Sequence, residues 1–264
     1  MDLHLTGKKV LVLAASKGLG KSIAKQFLRE GAHVLICSRK QEHLLQAVQE
    51  IQSDGDSEGR LFTQVCDLTD EQSITKLFEV AKEQLGGVDI LINNAGGPPA
   101  GSFMQLDDEA WQGAFELNLL SYIRASRLAI PFMQQAGGGR ILNIASSSIK
   151  QPIDGLVLSN TFRNGIVGLS KTLANEFAED GILVNTLAPG RIGTERVAEL
   201  DSIRAEKRSI SIDDVTTEMV AKIPLGRYGT PEEFAKTAVF LASFANTYIT
   251  GQSLLVDGGY VRSI

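Results

Sequence analysis

The run Lys9-Val10-Leu11-Val12-Leu13-Ala14 passes directly into Ala15-Ser16-Lys17-Gly18-Leu19-Gly20, after which Ile23, Ala24, Phe27 and Leu28 recur at helical spacing. A short continuous apolar run is what a strand buried on both faces requires. Glycines immediately after it let a ligand approach the backbone. The helix that follows offers unpaired N–H groups and the positive end of its dipole. Strand, glycine turn and helix in this order read as a phosphate-binding βα unit, with an ordinary tight turn as the alternative. Ser16, Lys17, Gly18, Leu19 and Gly20 are thus the first candidate cofactor-binding residues.

The alternation continues outward. A second apolar run, residues 33–37 (HVLIC), ends in Ser38-Arg39-Lys40. An acid at such a strand end, about 20 residues after the glycines, would bind a ribose 2′-hydroxyl. Here Ser38 and Arg39 occupy the position. Their hydroxyl and guanidinium, with Ser16 and Lys17, suit a 2′-phosphate, because the Arg fork matches phosphate geometry. The expectation is NADP(H) in preference to NAD(H); the competing reading is a solvated Arg-Lys pair at a helix start.

Residues 42–52 read as a helix, 53–59 as a polar loop, and 60–66 as a third strand leading into Asp67-Leu68-Thr69-Asp70. Thr69 or Asp70 suits the N-cap of a helix through Ile74, Leu77, Phe78 and Ala81. Asp67 and Leu68, at the strand end, are candidates to meet an adenine. A fourth strand, residues 88–92, ends in Asn93-Asn94-Ala95-Gly96-Gly97-Pro98-Pro99, small residues against which a ligand can lie. One long amphipathic helix is expected over about residues 107–135, with Asn118 in its middle. Asn is a poor helix former, so it is either exposed or placed to bond something inside.

A fifth strand, residues 140–144, delivers Ser146 to the surface, and the helix after it carries Ser159 and Arg163 four residues apart, on one face. A sixth strand, residues 182–187, leads to Ala188-Pro189-Gly190-Arg191-Ile192-Gly193-Thr194. Residues 195–223 read as charged and irregular, so about 191–223 is expected to be a mobile lid or insertion, with Arg191 or Arg196 a clamp for a polar or anionic substrate. Thr230-Pro231-Glu232-Glu233 opens the last helix with an N-cap, a first-turn proline and a capping box. Residues 253–256 form a seventh strand.

Alternating strands and helices without a repeat or linker predict an α/β fold: a single-domain, Rossmann-type doubly wound parallel sheet over residues 1–264, of about seven strands with helices on both faces. Gly18, Ser38, Asp67, Asn94, Ser146 and Pro189 then gather at the strand C-termini, where such sheets bind ligands. With 264 residues, 43% of them hydrophobic and 22% charged, a sizeable core is expected. A net charge of -5 argues against a nucleic-acid partner. Residues 1–10 hold no apolar leader core and no run of 18 apolar residues occurs, so a cytoplasmic chain with no membrane partner is expected. Cys37 and Cys66 lack CxxC spacing and read as buried reduced thiols; no metal is expected.

These residues resemble the short-chain dehydrogenase/reductase family over nearly the whole chain. Asn93-Asn94-Ala95-Gly96 matches its NNAG motif, and Pro189-Gly190 with Ile192 and Thr194 matches the loop that binds the cofactor carboxamide. The resemblance implies a Rossmann-type fold, a nicotinamide cofactor, a small-molecule carbonyl or alcohol substrate and a homotetramer. Its cofactor set maps onto the residues above together with Ala95, Gly96 and Arg163. Two departures stand out. The first glycine of the family turn is Ala14. Of the catalytic Asn, Ser, Tyr and Lys, Asn118 and Ser146 are kept, whereas the Tyr position is Ser159 and the Lys position Arg163, with the spacing of 13 between Ser146 and Ser159 preserved.

In the family the Tyr moves the proton, the Lys lowers its pKa and holds the ribose, the Ser stabilises the oxyanion and the Asn supports a water chain. Arg163 keeps a positive charge but releases no proton. Ser159 is a far weaker acid than a phenol of pKa about 10. Three readings follow: an NADP(H)-dependent oxidoreductase with a rebuilt relay, drawing on water at Ser159, Asn118 or Lys150 with Tyr122 nearby; a silent NADP(H)-binding sensor or partner subunit; or non-redox carbonyl chemistry. The plainer readings are a solvated Lys150 and an interface aromatic at Tyr122. The first of the three is the expectation.

Overall fold

The computed structural model describes residues 1–53 and 58–263, so positions 54–57 of the expected loop lie outside the described residues. Seven parallel strands, β1 (Lys9–Val12), β2 (His33–Ser38), β3 (Leu61–Val65), β4 (Ile90–Asn93), β5 (Gly139–Ile144), β6 (Ile182–Pro189) and β7 (Ser253–Val256), form one sheet in the order β3-β2-β1-β4-β5-β6-β7. The chain crosses over between β3 and β4, so the connections that leave the C-terminal ends of neighbouring β1 and β4 diverge and form the crevice that doubly wound sheets use for ligands. The α/β fold class expected from the alternation of elements is the one found.

The helices are α1 (Gly18–Arg29), α2 (Gln41–Gln52), α3 (Glu71–Leu85), α4 (Asp108–Phe115), α5 (Ser121–Gln135), α6 (Val157–Glu176), α7 (Glu195–Arg208), α8 (Ile212–Val220) and α9 (Pro231–Leu241). Side chains alternate across the sheet. Val10, Val12, Val34, Ile36, Ile90 and Ile92 enter the layer under α1, α2 and α9. Leu11, Leu13, Leu35, Cys37, Leu91 and Ile141 enter the layer under α3, α5 and α6. Continuous apolar strands are thus used on both faces, and each large side chain so buried contributes about 1.5–3 kcal/mol.

Two expectations are corrected. The single helix over residues 107–135 is interrupted: Glu116–Leu120 forms a π-helical turn between α4 and α5. The turn places Asn118 inward and fully buried, with its Nδ2 donating to Gly96 O at 2.7 Å; such π-bulges recur at functional sites. The segment 195–223 is also not irregular. It folds as α7 and α8, capped by Thr194 and by a Ser211–Asp214 capping box. Elsewhere the cap signals hold: Asp70, rather than Thr69, caps α3, and Thr230 with Glu233 opens α9. No helix among the described residues is long and apolar enough to cross a membrane.

Candidate active site

The C-terminal ends of the strands enclose one cleft of about 1280 Å³. Its glycine end is set by β1 and α1. Gly18 turns with φ 53°, and a Cβ on Gly20 would lie 2.7 Å from Ala14 O and from Asn94 Nδ2, so the turn admits no side chain at Gly20. Asn94 fixes it from the far side by donating Nδ2 to Leu13 O and Ala14 O, both at 3.1 Å. Ala14 itself sits at φ 46°, a left-handed conformation that suits the glycine its position resembles. The Ser16 hydroxyl donates to Ser38 Oγ at 2.9 Å, so the two hydroxyls converge as expected. Arg39 lines the cleft beside them.

α1 begins without a side-chain cap and without an acid in its first turn. Its first N–H groups are therefore free to meet an anion. A Cβ built on Gly96 meets nothing within 4 Å, since it would stand in the open cleft. These features fit the diphosphate and flat rings of a dinucleotide. Leu19, Leu68, Ala95, Pro189, Gly190, Ile192 and Thr194 complete the wall of the cleft. Lys17 lines it too, but its Nζ pairs with Glu195 of α7 at 3.0 Å. Asp67 does not line it; its Oδ1 accepts from Thr69 N and Thr69 Oγ1 at 2.9 and 2.7 Å, which leaves Oδ2 for another partner. Cys37 and Cys66 are free thiols, Cys66 in the wall itself and Cys37 behind it; the hydrogen bond to Cys66 and burial push the Cys37 thiol well up.

The reacting end is built by β5 and α6. Ser146 ends the loop after β5, and its Oγ accepts from Ser148 N at 3.2 Å, which leaves its own hydrogen to donate into the cleft. Ser159, 8% exposed, lies with Oγ 3.4 Å from Ser148 Oγ. Ser148 therefore links Ser146, through its backbone N–H, to Ser159, through its hydroxyl, a link the sequence does not announce. Asn118 stands behind the wall, and its buried Oδ1 has no hydrogen-bond partner among the described residues.

Arg163 reaches the cleft but is tied from within. Its Nη1 donates to Tyr122 Oη at 3.0 Å and to Ile144 O at 2.8 Å, and Nη2 lies 3.5 Å from Ala95 O. Both Nη1 hydrogens are spent, and only Nε and part of Nη2 are left to face a ligand. Tyr122, fully buried, donates its own proton to Ile144 O at 2.9 Å. It anchors Arg163 from inside the protein. Burial pushes its phenol up, and the Arg163 charge opposes part of that shift. Lys150 is exposed and does not line the cleft, as its solvated reading has it.

The two arginines expected to clamp a substrate are engaged by the protein. Arg191 Nη1 lies 2.8 Å from Asp201 Oδ1, an ion-pair contact too poorly angled to be a hydrogen bond, and Tyr228 Oη donates to Asp201 Oδ2 at 2.9 Å. Burial, with help from Asp201, pushes the Tyr228 phenol up to about 12. Arg196 donates to Pro98 O at 2.6 Å and to Glu199 at 2.9 Å.

Residues 13–261 match the family model described as Enoyl-(Acyl carrier protein) reductase. The uncharacterized oxidoreductase YvrD of Bacillus subtilis is 34% identical over the full length of both chains. The 7alpha-hydroxysteroid dehydrogenase of Escherichia coli K12 is 33% identical, over 100% of this chain and 98% of its own. The L-sorbose reductase of Gluconobacter frateurii, solved with NADPH and L-sorbose, superposes with a TM-score of 0.93 at 30% identity over the whole of both chains. A seven-stranded parallel sheet, a glycine turn opening its central crevice and full-length likeness to these reductases and dehydrogenases agree on one conclusion: the chain belongs to the short-chain dehydrogenase/reductase family of oxidoreductases.

Proposed function

We propose that the chain is an NADP(H)-dependent reductase or dehydrogenase that interconverts a small carbonyl compound and its alcohol with an atypical proton relay. The observation that carries this reading is a single cleft lined at one end by the glycine turn, Ser38 and Arg39, and at the other by Ser146, Ser159 and Arg163. The nicotinamide cofactor, when bound, would supply or accept a hydride. Ser16, Ser38 and Arg39 would hold a 2′-phosphate, and the uncapped start of α1 the diphosphate. Pro189, Gly190, Ile192 and Thr194 would hold the carboxamide.

At the reacting carbon, Ser146 Oγ would donate to the carbonyl oxygen. The fixed charge of Arg163 would favour negative charge building there, as electrostatic preorganisation does in a dry site. Ser159 Oγ would hold the water that delivers the proton, and Asn118 Oδ1 would take a second water. A positioned acid contributes about 10² to 10⁴ in rate, so turnover slower than with a phenol is the natural result. The expected homotetramer belongs to the same proposal, and light scattering after gel filtration measures it.

A second reading, cofactor binding without turnover, is favoured by the hold that Tyr122 and Ile144 have on Arg163, which leaves few donors for a ribose. Calorimetric titration with NADPH and NADH comes first. Micromolar binding of NADPH, tighter than that of NADH, is expected; failure of both to bind would remove the cofactor from either reading. Loss of NADPH absorbance over a panel of carbonyl compounds then separates turnover from silent binding.

A further inference from the structure

Among the described residues, the cleft is lined by ten Lys and Arg side chains against four carboxylates, although the chain as a whole carries a net charge of -5. The lid accounts for much of this. Its three cleft carboxylates are each taken by a cation: Glu195 by Lys17, Glu199 by Arg196 and Glu218 by Arg208. Arg191 is taken by Asp201. Arg204, Lys207 and Lys222 line the same cleft and meet no carboxylate of the described residues within 4 Å. The Arg204 guanidinium bonds only the Met219 thioether, Nη1 to Sδ at 2.7 Å, a weak acceptor that leaves its charge uncompensated.

The order of side chains along α7 adds shape to charge. Arg196, Leu200, Ile203 and Lys207 recur three or four apart, with Arg204 next to Ile203 and four past Leu200, and all five line the cleft. Arg196 is bonded to Pro98 O in the loop after β4, near the reacting end. Leu200 and Ile203 follow, Arg204 stands next to Ile203, and Lys207 lies about a turn beyond it. At about 1.5 Å per residue, Arg196 and Lys207 are about 16 Å apart along the helix. Lys222, just beyond α8, approaches the far end, where its charge acts on Glu218. An apolar band with uncompensated cations at one end suits a chain-like molecule with an oxyanion at its end.

We propose that the substrate is amphipathic: a carbonyl or alcohol carried on an apolar stem that ends in a carboxylate or phosphate, held by Arg204, Lys207 and Lys222. This rests on the carbonyl reading for the reacting end, but the anion site is made of this chain's own residues and is measured without turnover. The test is calorimetric titration of the full-length protein, with and without saturating NADPH, by 7-oxooctanoate, 7-oxooctyl phosphate and neutral octan-2-one. At least one anion is expected to bind about tenfold or more tighter than the ketone, as a single partly desolvated ion pair would give. The preference should shrink as salt is raised, and the two anions tell carboxylate from phosphate.

The triple variant Arg204→Gln/Lys207→Gln/Lys222→Gln should lose that preference and keep its NADPH affinity. Equal binding of anions and ketone, or an anion preference that survives in the triple variant, would overturn the proposal. Failure to bind NADPH while the anion preference persists would instead overturn the cofactor reading and leave this site standing.

Discussion

At the glycine end of the cleft the requirements fall on the backbone, and at the reacting end they fall on side-chain atoms. Gly20, Ala14 and Asn94 form a unit in which one added methyl would strike a carbonyl oxygen. Ser146, Ser148, Ser159 and Arg163 form a cluster of hydroxyls and a guanidinium held by Tyr122. The first unit follows the pattern of its family with one change, Gly to Ala at position 14. The second is held by side-chain hydrogen bonds, from Arg163 to Tyr122 and between Ser148 and Ser159. Backbone geometry tolerates little substitution and therefore marks kinship. Side-chain chemistry can be replaced on an unchanged frame, and there kinship says less about mechanism.

The contrast can be broken or sharpened by substitution. The largest effect is expected from Gly20→Val. Backbone atoms at 2.7 Å cannot step aside, so a loss of about 3 kcal/mol or more in stability and the loss of NADPH binding are expected; thermal melts with and without NADPH measure both. Arg39→Asp should come next. Removing one charge-assisted bond to a phosphate costs about 2 kcal/mol, so NADPH affinity should fall about 30-fold while NADH affinity rises. Unchanged affinities would make Arg39 a solvated residue.

Tyr122→Phe should cost about 1–2 kcal/mol, because Arg163 Nη1 loses an acceptor in a buried site. It also has a pH signature. Burial raises the native Tyr122 phenol above its usual value, so its contribution is complete below about pH 10, where unfolded tyrosine is still neutral. That contribution is lost as pH rises through the higher native value. Denaturant melts should therefore show wild type losing stability above about pH 10 more steeply than Tyr122→Phe. The smallest effect is expected for Ala14→Gly, which relieves a left-handed alanine and should raise stability by up to about 1 kcal/mol after the extra chain entropy of glycine is subtracted.

What the sequence disclosed follows the same division. The strands, the glycine turn and the caps at Asp70 and Thr230 are local patterns, and periodicity with cap chemistry is enough to read them. The helices α7 and α8 were also within reach, since Thr194 before Glu195 and Ser211 three residues before Asp214 are cap signals; dense charge made the segment look irregular. The π-turn at Asn118 left only the trace of a poor helix former in mid-helix. The bond from Tyr122 to Arg163 spans 41 residues and that from Ser148 to Ser159 spans 11. Such contacts arise from the packing of α5 and α6 against β5, and no local spacing encodes them. The pairing of Arg191 with Asp201 was hidden for the same reason, so the free cations of residues 191–223 could not be told from the engaged ones.

The most direct test of the central claim compares NADPH consumption by wild type and by Ser159→Tyr/Arg163→Lys with the same carbonyl panel. Turnover by wild type, made faster by about 10² or more in the double variant, is the result expected if Ser159 and Arg163 form a slower but working relay. Activity that appears only in the double variant, with NADPH bound equally well by both proteins, would contradict it and leave a cofactor-binding protein that does not turn over.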